Sequence, residues 1–322
     1  MKKGFRLVLI ALVCFLVASY FIPSVQQREV TINNNMQNVI LSVYQTSNWV
    51  KWNVPIKSAW QKDSSSYQFS EDGTKHSKSI LLPRRKITVT QINNLSYQVE
   101  ETTSSGSDYF IITMLPHIVN ANAQVSQNTN VVYAWNSNWF HKIFTFLKGN
   151  SFCEKTVSDL ISYLNSETSF YGFPIKVTSA TDTLFITRKK AVPRSDIFKT
   201  LPALFDSLDH FCRQNHLISH NRNIYYEPLS GDSLQILTGV NIDTAFVVEG
   251  INQFMQLPAA QIVAIADFEG RFADRPKVYE AMRKYLLDKE LVKGSVCFEK
   301  YLSPLPQSDT SIIKMKLIFP IR

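Results

Sequence analysis

A chain of 322 residues is long enough for two ordinary domains, each with a core of its own. Apolar residues make up 45%, which excludes a disordered tail. The net charge of +8 is spread out: residues 1–27 contribute +3, residues 28–170 carry 12 basic against 10 acidic groups, and residues 171–322 carry 19 against 16. A nucleic-acid binder gathers its cations on one face to displace counterions, so this dilution argues against nucleic acid as a partner. The runs at 84–86 and 188–190 read as solvated strand ends or loops.

Lys2, Lys3 and Arg6 precede an uncharged stretch over 7–22 that Pro23 closes. Sixteen helical residues span about 24 Å, slightly short of the ~30 Å hydrocarbon core, a difference that snorkelling flanks absorb. The cations favour a cytoplasmic N-terminus, which places the soluble body outside the cytoplasm, on the periplasmic side of a single-pass membrane protein. A retained anchor is favoured over a cleaved signal peptide, because Tyr20, Phe21 and Ile22 carry the apolar run past the small residues Ala18 and Ser19. Cys153, Cys212 and Cys297 are far apart, odd in number and without CxxC spacing. They read as buried thiols, with no disulfide framework or metal site.

Further along, extended character over 28–32 leads into a helix over 36–44 with Met36, Val39, Ile40 and Val43 on one face. Trp49 and Trp52 follow, then β-rich runs at 67–69, 87–90, 97–100, 109–114 and 131–135. A helix over 152–165 turns Val157, Leu160, Ile161 and Leu164 inward. The order predicts an antiparallel sheet wrapped around a closing helix. The five tryptophans, 49, 52, 60, 135 and 139, serve either as core or as the lining of a lipid-type cavity.

From Phe170 the pattern changes and repeats. A strand at 183–187, a helix over 196–212 and strands at 224–227 and 235–242 form one set. A strand at 262–266, a helix over 276–289 and strands at 296–301 and 312–321 form the second. Two β-α-β-β units whose third elements read "NIYYEPLS" and "SVCFEKYL" predict a pseudo-twofold domain with a cleft between its halves. By eye, Glu227 then matches Glu299.

Two stretches resemble known families. The opening "VTINNNMQNVILSVYQTSNWVKWNVP" and the segment from Thr129 ending "FCEKTVSDLISYLNSE" resemble START-like domains of the SRPBCC, polyketide-cyclase-like superfamily. The segments "PAAQIVAIADFEGRFADRPKVYEAMRKYLLDKE", "VCFEKYL" and "MKLIFPI" resemble the GyrI-like family, the effector-binding domain of AraC- and MerR-type regulators. The reading is therefore an α+β chain: a tip and transmembrane helix over 1–27, a START-like helix-grip domain over 28–169, and a pseudo-twofold GyrI-like domain over 170–322.

Strand alternation places Cys297, Glu299 and Tyr301 on one face and Val296 and Phe298 on the other. If the Val296/Phe298 face packs on the helix, Glu299 and Tyr301 line the cleft. A carboxylate among aromatic rings suits a cation with an apolar body. The GyrI-like resemblance implies the same ligand class, cationic and often aromatic. Glu227 and Tyr225 form the counterpart, with Phe268, Phe272 and Tyr279 as walls. No catalytic residue is assigned; were the domain a hydrolase of reactive electrophiles, Glu299 would be the base and Tyr301 its assistant. His210, His216 and His220 lack an H-E-x-x-H pattern, and no metal or cofactor is expected. The expected function is non-catalytic binding of a small hydrophobic or cationic ligand, as sensor or scavenger at the cell envelope. The alternatives are a detoxifying hydrolase in the same cleft and a module that docks an envelope protein.

Overall fold

A computed structural model describes residues 8, 10–15, 17–18, 23–104, 106–118, 125–138, 152–248, 250–258 and 260–322. The chain is α+β, with two compact units, Met1–Ser166 and Glu167–Arg322, each built on an antiparallel sheet.

Of the stretch expected to cross the membrane, the described residues are helical, while Lys2, Lys3 and Arg6 lie outside the described residues. Among the described residues no helix is long and apolar enough to cross a membrane. Of the expected transmembrane stretch over 7–22, residues 7, 9, 16 and 19–22 lie outside the described residues. Residues 23–27 belong to strand β1 (Pro23–Ile32), which pairs with β7 from Pro23↔Asn138 onward, so backbone pairing claims them.

The first unit continues with α1 (Met36–Tyr44), α2 (Trp49–Trp52) and α3 (Val54–Lys62). Strands β2 (Gln68–Asp72), β3 (Ser77–Leu82), β4 (Arg85–Gln91), β5 (Ser96–Thr103), β6 (Gly106–Ile118) and β7 (Val125–Asn138) then lead to α4 (Phe152–Asn165). The sheet order is β1-β7-β6-β5-β4-β3-β2, a meander whose last strand returns beside the first. The asparagine run has a local purpose. Asn35 caps α1 by accepting from the Asn38 N–H at 2.9 Å, and buried Asn34 donates to the Leu164 carbonyl of α4 at 3.2 Å. Thr129 of β7 donates to the Asn34 carbonyl at 2.8 Å, so one polar knot ties strand, cap and closing helix together.

Trp49 and Trp52 are buried, and their indole N–H groups donate to the Val43 and Ser42 carbonyls at 2.9 and 3.0 Å. They satisfy carbonyls at the end of α1. Helices α2 and α3 and strand β3 escaped the sequence reading. Asn53 followed by Pro55 is a helix-start signal, and the Asn53 side chain accepts from the Ile56 N–H at 3.2 Å.

The second unit opens with α5 (Glu167–Tyr171), whose Tyr171 hydroxyl donates to Asp288 at 3.1 Å. Strands β8 (Ile175–Ser179) and β9 (Leu184–Pro193), helix α6 (Ile197–Gln214), and strands β10 (Ser219–Pro228) and β11 (Ser233–Ile242) follow. Then come β12 (Gln253–Gln256), β13 (Ile262–Arg271), α7 (Arg275–Asp288), β14 (Phe298–Tyr301) and β15 (Ile312–Pro320). The order β12-β9-β11-β10-β14-β15-β13-β8 is symmetric about the β10/β14 pair. The edges are exchanged: β8, which leads the first repeat, pairs with β13 of the second, and β12 pairs with β9 of the first. The sequence reading missed both edge strands.

Each helix packs one apolar stripe on the sheet. Leu201, Leu204, Phe205 and Leu208 of α6 and Val278, Met282, Tyr285 and Leu286 of α7 are buried in one core with Ile186, Ile236 and Leu317. The opposite face of the sheet carries a smaller cluster of Phe185, Leu257, Val263, Phe298 and Ile318. Cys153, Cys212 and Cys297 are buried free thiols.

Candidate functional site

Glu299 stands in the middle of the second sheet, paired with Ile224 of β10 on one side and Leu317 of β15 on the other. Its side chain is 0% exposed. Alternation along β14 turns Glu299 and Tyr301 toward α7, and Phe298 joins the cluster on the far face. That reverses the expected packing. The cause is α7 itself: Arg275 and Tyr279, one turn apart, present polar ends that Glu299 satisfies.

Arg275 Nη1 donates to both carboxylate oxygens, at 2.8 and 3.0 Å. The Tyr279 hydroxyl donates to Oε1 at 2.8 Å, and the Tyr301 hydroxyl to Oε2 at 2.7 Å. Each oxygen thus accepts two hydrogen bonds, the full complement of a carboxylate. The Tyr226 hydroxyl lies 3.5 Å from that of Tyr301. The Arg275 guanidinium carbon sits 3.5 Å from the Phe272 ring centroid and 4.5 Å from that of Tyr226. A planar cation is therefore held against aromatic rings with its charge on a buried carboxylate.

The electrostatics follow from this geometry. Burial, and then the Glu299 charge, push the Tyr279 and Tyr301 hydroxyls well above the ordinary tyrosine value. Tyr226 is raised for the same two reasons. Burial works against the charge of Arg275, but Glu299 and the surrounding phenols outweigh it and the net shift is upward. All three phenols stay neutral donors at ordinary pH.

Beside this cluster on the helix side lies a hollow of about 520 Å³. Tyr225, Tyr226, Tyr279, Cys297 and Phe319 line it, with Arg283 and Lys293 as its basic groups. Of the residues singled out from sequence, the structure brings together Glu299, Tyr301, Tyr279 and Phe272. Tyr225 lines the hollow without touching the carboxylate network. Glu227 is exposed at the end of β10 and alternates with Tyr226, so it does not match Glu299. Phe268 is buried in the helix-side core against Phe173, at 6.0 Å between ring centroids. It does not line this hollow.

Sequence reasoning missed Arg275 and Tyr226. The signal for Arg275 was its four-residue spacing from Tyr279 at a helix start marked by Pro276. The signal for Tyr226 was its alternation with Ile224, the residue opposite Glu299.

His220 pairs with Asp243 at 2.8 Å. Among the described residues no group of His, Cys, Asp and Glu is arranged to hold a metal.

No protein family and no curated protein matches this sequence. Solved structures with similarity include the EcmrR C-terminal domain, at 13% identity over 47% of this chain and 98% of that one, with a TM-score of 0.38. A hydrolase from Listeria innocua aligns at 9% identity over 46% and 91%, with a TM-score of 0.36. SAV2435 bound to tetraphenylphosphonium aligns at 12% identity over 46% and 94%, with a TM-score of 0.28. Likeness at this level carries no assignment.

Proposed function

We propose that the second unit is a non-catalytic binding module for an amphipathic organic cation. The observation that supports this is the arrangement at Glu299, where Arg275 takes the place a ligand's cation would take. Its charge lies on a fully buried carboxylate and its flat face on aromatic rings. Arginine reaches this position from the first residue of α7 on a long rotatable stem, and the adjoining hollow gives a ligand room to approach. Binding then consists of exchanging one cation for another at Glu299, while the ligand's apolar body lies among Tyr225, Tyr279 and Phe319.

Binding is favoured over hydrolysis because Tyr279 and Tyr301 each hold one carboxylate oxygen and the cation, whether Arg275 or the ligand, faces the remaining lone pairs. A general base needs a free lone pair directed at the proton it takes.

Tetraphenylphosphonium is a suitable probe, being a delocalised cation ringed by aromatic groups. In titration calorimetry on the full chain, Arg275→Ala is expected to bind it at least about tenfold more tightly than the unmodified protein, because the competing cation is gone. Glu299→Gln is expected to lose binding. Equal affinity in all three proteins would sink the reading.

For the rest of the chain we propose a START-like first unit and a membrane-attached protein facing the outside of the cytoplasm, as sensor or scavenger. The support is the quoted sequence segments and the cations ahead of 7–22. Alkaline carbonate extraction of membranes tests attachment. Release of the full-length chain into the supernatant would refute it.

A further inference from the structure

The hollow beside Glu299 is lined by two cations as well as by aromatic rings. Arg283 and Lys293 are both exposed, and among the described residues no carboxylate pairs with either. A ligand that displaces Arg275 from Glu299 leaves a third positive group close by. One buried carboxylate then faces three cations, and a purely positive ligand adds a fourth.

Both side chains are tied to the site by their positions. Arg275, Tyr279, Arg283 and Leu287 stand four residues apart along α7, so they form one stripe that leaves Glu299 at about 6 Å per step. The Tyr279 hydroxyl is on the carboxylate, Arg283 comes one turn later, and Leu287, which is 79% exposed, a turn after that. From another wall, Lys293 Nζ lies 5.6 Å from the centroid of Phe319, whose ring stands 6.2 Å from that of Tyr279. Cys297, which also lines the hollow, registers both charges: burial pushes its thiol up, while Lys293 and Arg283 pull it down. The two cations therefore flank the hollow a step farther out than the carboxylate. Past Arg283 the lining is apolar, with Leu286, Leu287 and Leu291.

We propose that the hollow selects a zwitterionic amphiphile. Its organic cation meets Glu299, an anionic group one short spacer away meets Arg283 and Lys293, and an apolar chain leaves over Leu287 and Leu291. The spacer crosses Tyr279 and Phe319. This rests on the cation reading and narrows it, because the charges that hold the anion turn away a ligand without one. A volume of about 520 Å³ is within the range that takes a small organic ligand. A phosphocholine head has the required order: quaternary ammonium, short spacer, phosphate, then the chain.

Dodecylphosphocholine and dodecyltrimethylammonium share the quaternary ammonium and the chain, and only the first carries a phosphate. Titration calorimetry of the full chain, with both below their micellar concentrations, is expected to show the phosphocholine binding about tenfold more tightly, as two exposed ion pairs allow. In an Arg283→Gln, Lys293→Gln double variant the gap should close from both sides, the phosphocholine weakening and the trimethylammonium strengthening. Both side chains are exposed, so the variant should keep its fold by circular dichroism. Glu299→Gln should lose both ligands. The zwitterion is overturned if the unmodified protein binds the phosphocholine no more tightly, or if the double variant leaves the gap unchanged; loss of trimethylammonium binding in Glu299→Gln would then still uphold the cation reading. If neither ligand responds to Glu299→Gln, the cation reading falls and this inference with it.

Discussion

Ile224 and Glu299 face each other across the β10/β14 pair, on the face that carries the helices. They also hold the same place in the two repeats. Two residues further along each strand stand Tyr226 and Tyr301, whose hydroxyls approach to 3.5 Å across the pseudo-twofold axis. The first residue of each helix is Ile197 in one repeat and Arg275 in the other, and one turn later come Leu201 and Tyr279. The first repeat thus keeps an apolar set where the second has built an ion pair with a phenol. Only one half of the symmetric scaffold carries the buried charge.

That asymmetry sets the energetics. Glu299→Gln leaves the guanidinium among aromatic rings without its counter-charge and is expected to cost about 3–5 kcal/mol. Replacing both Arg275 and Glu299 by leucine, as the first repeat does in kind, is expected to recover most of the loss. Urea unfolding of the single and double variants checks this. Additive losses would mean the two side chains are not coupled.

The phenols differ in what they contribute. Tyr301→Phe removes a 2.7 Å bond to a buried carboxylate and is expected to cost about 1.5–3 kcal/mol. Tyr226→Phe gives up a 3.5 Å contact between hydroxyls and a polar contact with Arg275, keeps the ring against that guanidinium, and is expected to cost less, about 1 kcal/mol. The order of the two midpoints in thermal unfolding decides.

The same phenols make stability sensitive to alkali. Their folded-state values are raised above the unfolded tyrosine value of about 10, so below that pH both states hold the proton and the contribution is complete. Above it the unfolded chain releases protons that the folded chain keeps, and stability falls as pH rises. Unfolding free energies at about pH 9 and about pH 11 should show this decline. A Tyr279→Phe, Tyr301→Phe double variant should show a shallower one.

In the first unit, Asn35→Ala removes the cap of α1 and is expected to cost about 1 kcal/mol. Asn34→Ala should cost more. Its buried amide donates to the Leu164 carbonyl and accepts from Asn38 Nδ2 at 2.8 Å, and both partners would be left without it. Chemical unfolding of the two variants ranks them.

Burial pushes the Cys153, Cys212 and Cys297 thiols up from their ordinary range. Alkylation by iodoacetamide at neutral pH is therefore expected to be slow at all three until denaturant opens the chain, as peptide mapping would show.

What the sequence determined by itself was everything written in local periodicity. Helix α1 and helix α4 fall where the apolar spacing of Val39 and Val43, and of Val157, Leu160 and Leu164, places them. The inward stripe of α7 follows from Val278, Met282, Tyr285 and Leu286 in the same way. The repeat was legible because each copy has the same order of periods. Edge strands β8 and β12 were not, being short and held by hydrogen bonds to the opposite repeat, which no local pattern records. Alternation along β14 separated Glu299 from Phe298, but which face met the helix depended on what α7 offered. The tertiary structure settled that by setting Arg275 against Glu299, because a charge leaves water only where a counter-charge and donors await it.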